Sequence, residues 1–84
     1  MKHAGREALD QLEDLLTAIR RLPGLKERSR GVFYLRAIAF LHFHDDPAGL
    51  FADLRQGGEF KRFRVSSAAE RRTFVAVVRS ELDA

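Results

Sequence analysis

Apolar residues early in the chain recur at three- and four-residue intervals: Ala8, Leu9, Leu12, Leu15, Leu16, Ile19 and Leu22. That spacing predicts one amphipathic helix. Glu7, Asp10, Glu13 and Asp14 come first along it and Arg20 and Arg21 last, the order that complements the helix dipole. Pro23-Gly24 ends it. Leu25 to Gly31 reads as a polar, basic connection. The period then falls to two. Val32–Arg36 and Ile38–His44 read as strands with a turn at Arg36-Ala37. No Asn-Gly marks that turn. It is inferred because one strand of about 13 residues would be unusually long. Asp45-Asp46-Pro47-Ala48-Gly49 has the acids, proline and glycine of a tight turn. Leu50–Arg55 is a third strand, Gln56-Gly57-Gly58-Glu59 a second strong turn, and Phe60–Val65 a fourth strand. Ser67-Ala68-Ala69-Glu70 fits a capping box, opening a helix whose stripe is Phe74, Val75, Val78 and Leu82, widened by Val77.

The predicted order is α-β-β-β-β-α. Every strand connection is short enough for an antiparallel meander. The expected fold is α+β: a two-layer sandwich with a four-stranded antiparallel sheet flanked by N- and C-terminal helices, in a single domain over residues 1–84. Strand alternation divides the side chains between two faces. Phe33, Leu35, Leu41, Phe43, Leu50, Ala52, Leu54, Phe63 and Val65 are all apolar and belong under the helices. The other set is Tyr34, Arg36, Phe40, His42, His44, Phe51, Asp53, Arg55, Arg62 and Arg64. A one-residue register slip would exchange the faces of any strand.

Composition narrows the chemistry. The chain has 84 residues, is 45% hydrophobic and 32% charged, and has no cysteine. That excludes a disulfide framework, a thiol nucleophile and a thiolate metal cluster. No apolar run is long enough to span a bilayer, and the N-terminus does not read as a signal peptide. The expected location is the cytoplasm. The net charge of +3 is uneven: residues 20–36 carry six bases against Glu27, and residues 60–84 carry six bases against three acids. Twelve of the 15 bases are arginine, which suits planar contacts to phosphate or carboxylate. A solvated surface explains the same excess.

The second sheet face carries the candidate chemistry. Its aromatics among arginines admit three readings: bases stacked while arginines hold phosphates, a homodimer interface, or rings covered by arginine stems. His42 and His44 share one side of a strand, about 7 Å apart, and Asp53 falls on the same face of the neighbouring strand. Two histidines and a carboxylate suit Zn²⁺ or Fe²⁺. The alternative is histidines that hydrogen-bond or pair with acids on an exposed strand, and no motif brings in His3. Asp45 and Asp46 are explained by turn formation. Ser66 and Ser67, with Arg71 and Arg72 one turn on, read as a plain N-cap rather than an anion site. No nucleophile elbow, P-loop or dinucleotide fingerprint is present.

The stretch Gly31-Val32-Phe33-Tyr34, the run from Phe40-Leu41-His42-Phe43-His44 through Asp45-Asp46-Pro47-Ala48-Gly49 to Leu50-Phe51-Ala52-Asp53-Leu54-Arg55, and Phe63-Arg64-Val65-Ser66 together resemble a family of short uncharacterised bacterial proteins. The likeness spans most of residues 20–82 and implies a bacterial source but no activity. Leu22-Pro23-Gly24 ahead of a hairpin also resembles the YjbR/MmcQ-like domains, which implies nucleic-acid binding. Neither resemblance assigns a role to any residue.

These readings together point to a non-enzymatic protein-interaction module with no cofactor, a homodimer through the open sheet face, with no membrane partner. The face residues expected to bind are Tyr34, Arg36, Phe40, His42, His44, Phe51, Arg55, Arg62 and Arg64. A nucleic-acid-binding domain using Arg28, Arg30, Arg36, Arg55, Arg62 and Arg64 with Tyr34, Phe40 and Phe51 is the second expectation. A metal-dependent enzyme at His42, His44 and Asp53 is the third.

Overall fold

A computed structural model describes residues 2–83. The elements are β1 (Lys2–His3), α1 (Arg6–Gln11), α2 (Glu13–Arg20), β2 (Leu25–Ser29), β3 (Val32–Leu35), β4 (Ile38–Asp46), β5 (Gly49–Gln56), β6 (Glu59–Arg64) and α3 (Ala68–Leu82). All six strands form one antiparallel sheet in the order β2-β3-β4-β5-β6, with β1 added beside β4. The fold is α+β, as the pattern predicts. No helix among the described residues is long and apolar enough to cross a membrane.

The four-strand expectation is corrected to six, and the element order changes with it. Leu25–Ser29 is a strand rather than a connection. Leu25 pairs with Leu35 and Glu27 with Phe33, so both face the core side. Glu27 takes an apolar position because Arg20 Nε and Nη2 donate to its carboxylate at 2.6 and 3.0 Å and the Gly31 N–H donates at 2.9 Å. The guanidinium holds the Glu27 carboxyl below its ordinary range, against the opposing effect of burial. A charged sequence reads as a loop, yet charge is what an edge strand carries to discourage pairing with other chains. Lys2–His3 is the second unexpected strand, paired as Lys2 with Asp45 and His3 with His44. It continues where β3 ends along the same side of β4, and the Ala4 N–H donates to the Phe43 carbonyl at 3.0 Å. The first helix is divided at Leu12, whose ψ of 6° departs from helical values, but its apolar stripe continues unbroken into the core.

The core lies between the helices and the inner sheet face. Leu12, Leu16, Ile19, Phe74 and Val78 meet Phe33, Leu41, Phe43, Ala52, Leu54 and Val65, all essentially inaccessible to solvent. Phe63 and Leu35 are partly buried against the same cluster. The capping box forms as predicted: Ser67 Oγ accepts the Glu70 N–H at 3.1 Å, and Glu70 accepts the Ser67 N–H at 2.9 Å.

Phe40 moves from the outer face to the core. Phe33 pairs with Leu41, and Tyr34 pairs with Ala39. Phe40 therefore has no partner on β3: it is the extra residue of a β-bulge. The bulge resets the alternation, so Phe40 and Leu41 both face inward, and Phe40 is 4% exposed. Ladder pairing with β5 begins only at Leu41. The free carbonyl of Ala39 accepts from Arg55 Nε at 2.7 Å instead. A side chain does there what the ladder does elsewhere.

The hairpin turns each have two residues. Leu35 pairs with Ile38, so Arg36-Ala37 is a real turn, with φ of 52° and 68°. Positive φ at both central residues matches the right-handed strand twist but strains residues that carry a Cβ. At Gly31 (φ 79°) a Cβ would also stand 2.7 Å from Leu9 Cδ2, so the Leu9 side chain would have to shift.

Two outcomes follow. Replacing Arg36→Asn and Ala37→Gly together should raise stability by about 1 kcal/mol, read as a Tm increase of about 4–8 °C, because the turn keeps its shape and loses its strain. Phe40→Ala should cost about 3–5 kcal/mol in chemical denaturation, and Phe51→Ala clearly less. Equal small effects would return Phe40 to the solvent face.

Candidate metal centre

Burial of Leu41 and Phe43 on the inner face of β4 turns His42 and His44 outward. Two strands flank them. On one side β5 brings Asp53 opposite His42 and Phe51 opposite His44. On the other, β1 brings His3 opposite His44. The three imidazoles form a triangle: ring centroids lie 5.4 Å apart for His3 and His42, 4.9 Å for His3 and His44, and 5.0 Å for His42 and His44. One nitrogen from each ring lies within 4.8 Å of the other two. Zn–N bonds of about 2.0–2.1 Å would require the nitrogens to draw closer than this upper bound.

Hydrogen bonding within the chain leaves nitrogens of His42 and His44 free. His42 Nδ1 and both ring nitrogens of His44 are buried without a hydrogen-bond partner. His44 Nε2 lies 2.9 Å from Asp53 Oδ2, but the contact lacks hydrogen-bond alignment. The expected pairing with an acid is thus present at His44 Nε2, while the Nδ1 atoms of His42 and His44 have no hydrogen-bond partner. Burial pushes the His42 imidazole below its ordinary pKa, opposed by the Asp53 carboxylate and reinforced by His44, His3 and Arg62. A neutral imidazole is the form that donates an electron pair to a metal.

Asp53 has a different job from the one its spacing suggested. It is 7% exposed, and Arg62 Nε and Nη2 donate to its two oxygens at 2.8 and 2.9 Å. That bidentate pairing holds the carboxyl below its usual range, outweighing the opposing effect of burial, with His44 adding to the lowering. Each Asp53 oxygen already accepts from Arg62, and the imidazole that converges on His42 and His44 is His3. The convergent group is thus three imidazoles, with Asp53 beside His44. No motif in the sequence could have found His3, because a two-residue strand has no periodicity.

The other face residues divide. Arg36 sits in the turn between β3 and β4, away from the sheet surface. Tyr34, Phe51 and the unpredicted Phe60 lie outward, each under a guanidinium: Arg28 at 4.3 Å from the Tyr34 ring centroid, Arg64 at 5.8 Å from Phe51 and Arg55 at 4.5 Å from Phe60. Alternation from Arg62 and Arg64 already places Phe60 on this side. Its ring meets His42 edge-on, 4.7 Å between centroids, and closes that flank of the cluster. Arg55 is anchored to the Ala39 and Gly58 carbonyls, and Arg64 Nη1 to the Ala48 carbonyl. The stacking surface expected from Tyr34, Phe40 and Phe51 therefore lacks Phe40, and an arginine lies over each remaining ring.

Set against family models, curated proteins and solved structures, the chain matches none.

Proposed function

We propose that this protein binds a divalent first-row transition metal ion of the zinc class through His3, His42 and His44. The observation that carries the reading is the convergence of three imidazoles, the exposed His3 with His42 and His44, whose buried Nδ1 atoms have no hydrogen-bond partner. A buried polar atom without a partner is costly unless something else satisfies it. Imidazole suits zinc, copper, nickel and iron, and three protein ligands leave a coordination position open. Two ligands come from the long central strand and the third from the short strand beside it. Metal binding therefore also fastens β1 to the sheet.

Calorimetric titration with Zn²⁺ in a non-coordinating buffer should give one ion per chain. His3→Ala, His42→Ala and His44→Ala should each weaken binding by at least about tenfold. Zn²⁺ at about a hundred times its dissociation constant should stabilise the fold by about 2.7 kcal/mol, a Tm rise on the order of 10 °C. Saturable binding that survives all three substitutions would place the metal elsewhere.

Self-association through the outer sheet face is a second reading, supported by the exposed Phe60 ring beside the cluster. Light scattering of the metal-free chain at micromolar concentration should then give about twice the 9.6 kDa of one chain. Phe60→Ser should restore the single-chain mass. A stable single-chain mass in the unaltered protein removes this reading.

A further inference from the structure

The metal reading leaves one coordination position to fill, and the groups around the cluster select what fills it. Arg62 is linked to the cluster through Asp53. Asp53 Oδ2 lies 2.9 Å from His44 Nε2 and accepts from Arg62 Nη2 at 2.9 Å. The guanidinium therefore stands within two hydrogen-bond lengths of the histidine triangle. Arg62 gives Asp53 the edge formed by Nε and Nη2. Its end-on edge, Nη1 with the second Nη2 proton, has no partner among the described residues, and the side chain is 48% exposed. A guanidinium has five N–H donors in a fixed plane, so one edge can hold a carboxylate while the other receives a second oxyanion.

The neighbouring arginines are not equivalent. Arg55 spends its donors on the Ala39 and Gly58 carbonyls. Arg64 bonds the Ala48 carbonyl and contacts Glu70. Arg62 alone of the three keeps a free fork and stands next to the histidines. Charge points the same way. A divalent ion on three neutral imidazoles keeps its full charge. Arg62 adds one positive charge, and Asp53 and Asp46, both acting on Arg62, remove two, so the centre keeps a net positive charge. Asp53 fixes the guanidinium in place without cancelling the field.

We infer that the centre takes a small oxyanion, phosphate or carboxylate, with one oxygen on the metal and another on the free edge of Arg62. This rests on the three-histidine reading and adds to it a ligand class and a specificity residue. Arg62 is a ligand-binding residue here, and Asp53 positions it. Lysine in its place would keep the charge but lose the planar fork.

Cobalt(II) separates the two readings, because its visible spectrum reports the ligands on the ion. The full chain is first loaded with Co²⁺ in a non-coordinating buffer at fixed ionic strength, then titrated with inorganic phosphate and, separately, with acetate. Failure of Co²⁺ to bind, or binding that survives His42→Ala and His44→Ala, overturns the metal reading itself. Saturable Co²⁺ binding whose spectrum neither anion changes leaves the metal reading standing and overturns this inference. The expected result is a saturable spectral change. Measured on Co²⁺-saturated protein, with the Co²⁺ affinity of each variant determined first, its apparent anion affinity should fall by about tenfold or more in Arg62→Gln, and by less in Arg62→Lys. An equal phosphate response in Arg62→Gln shows the anion on the metal alone and overturns the role of Arg62. Response to phosphate but not acetate, or the reverse, identifies which oxyanion the site accepts. Far-UV circular dichroism of each variant confirms the fold, and the unaltered chain by itself already decides whether an anion joins the ion.

Discussion

Burial of Leu41 and Phe43 beneath the helices is the interaction on which the rest of the structure depends. Each removes a large apolar side chain from water, worth about 1.5–3 kcal/mol. Strand β4 contacts β1, β3 and β5, so its alternation is imposed on the centre of the sheet. With Leu41 and Phe43 inward, His42 and His44 have only the outer face. The histidines are where they are because of their neighbours' hydrophobicity. The bulge at Phe40 is the one break in the rule. It lets a third bulky residue of β4 enter the core, and Arg55 repairs the backbone acceptor that the irregularity frees.

Charge performs two different tasks on the two sides of the molecule. On the helix side, Arg20 and Arg30 connect Glu13, Glu27 and Asp10, tying the β2–β3 hairpin to the first two helices. Most of these pairs are partly exposed and individually weak. Their service is to place a polar edge strand against a helix without an apolar seam. On the outer face, Asp53 is buried and paired with Arg62. Breaking such a pair leaves an unpaired buried charge, so the guanidinium is held in one place beside the histidines. Elsewhere on this face arginines lie over aromatic rings, where their planar groups cover apolar surface and keep their hydrogen bonds. Among the nine residues expected to form one binding surface, the His42, His44 and Arg62 region is therefore chemically distinct: buried ring nitrogens without partners adjoin an arginine edge without a partner.

Local patterning determined a good deal. The apolar stripes fixed the inner face of each helix, the capping box fixed where α3 begins, and Asp45 to Gly49 and Gln56 to Glu59 fixed two hairpins. Alternation placed Leu41, Phe43, Ala52, Leu54 and Val65 inward and His42, His44, Phe51 and Arg62 outward. These features depend on side-chain period and turn chemistry, which neighbouring residues carry among themselves. Tertiary structure alone decided the rest. Leu25–Ser29 became a strand because Arg20, on another element, neutralises Glu27. Phe40 entered the core because β3 and β5 leave it unpaired at a bulge. His3 joined His42 and His44 because a two-residue strand docks some forty residues away in sequence, and Arg62 claimed both oxygens of Asp53. Each is a contact between distant parts of the chain, and no periodicity encodes a partner that folding has yet to bring near.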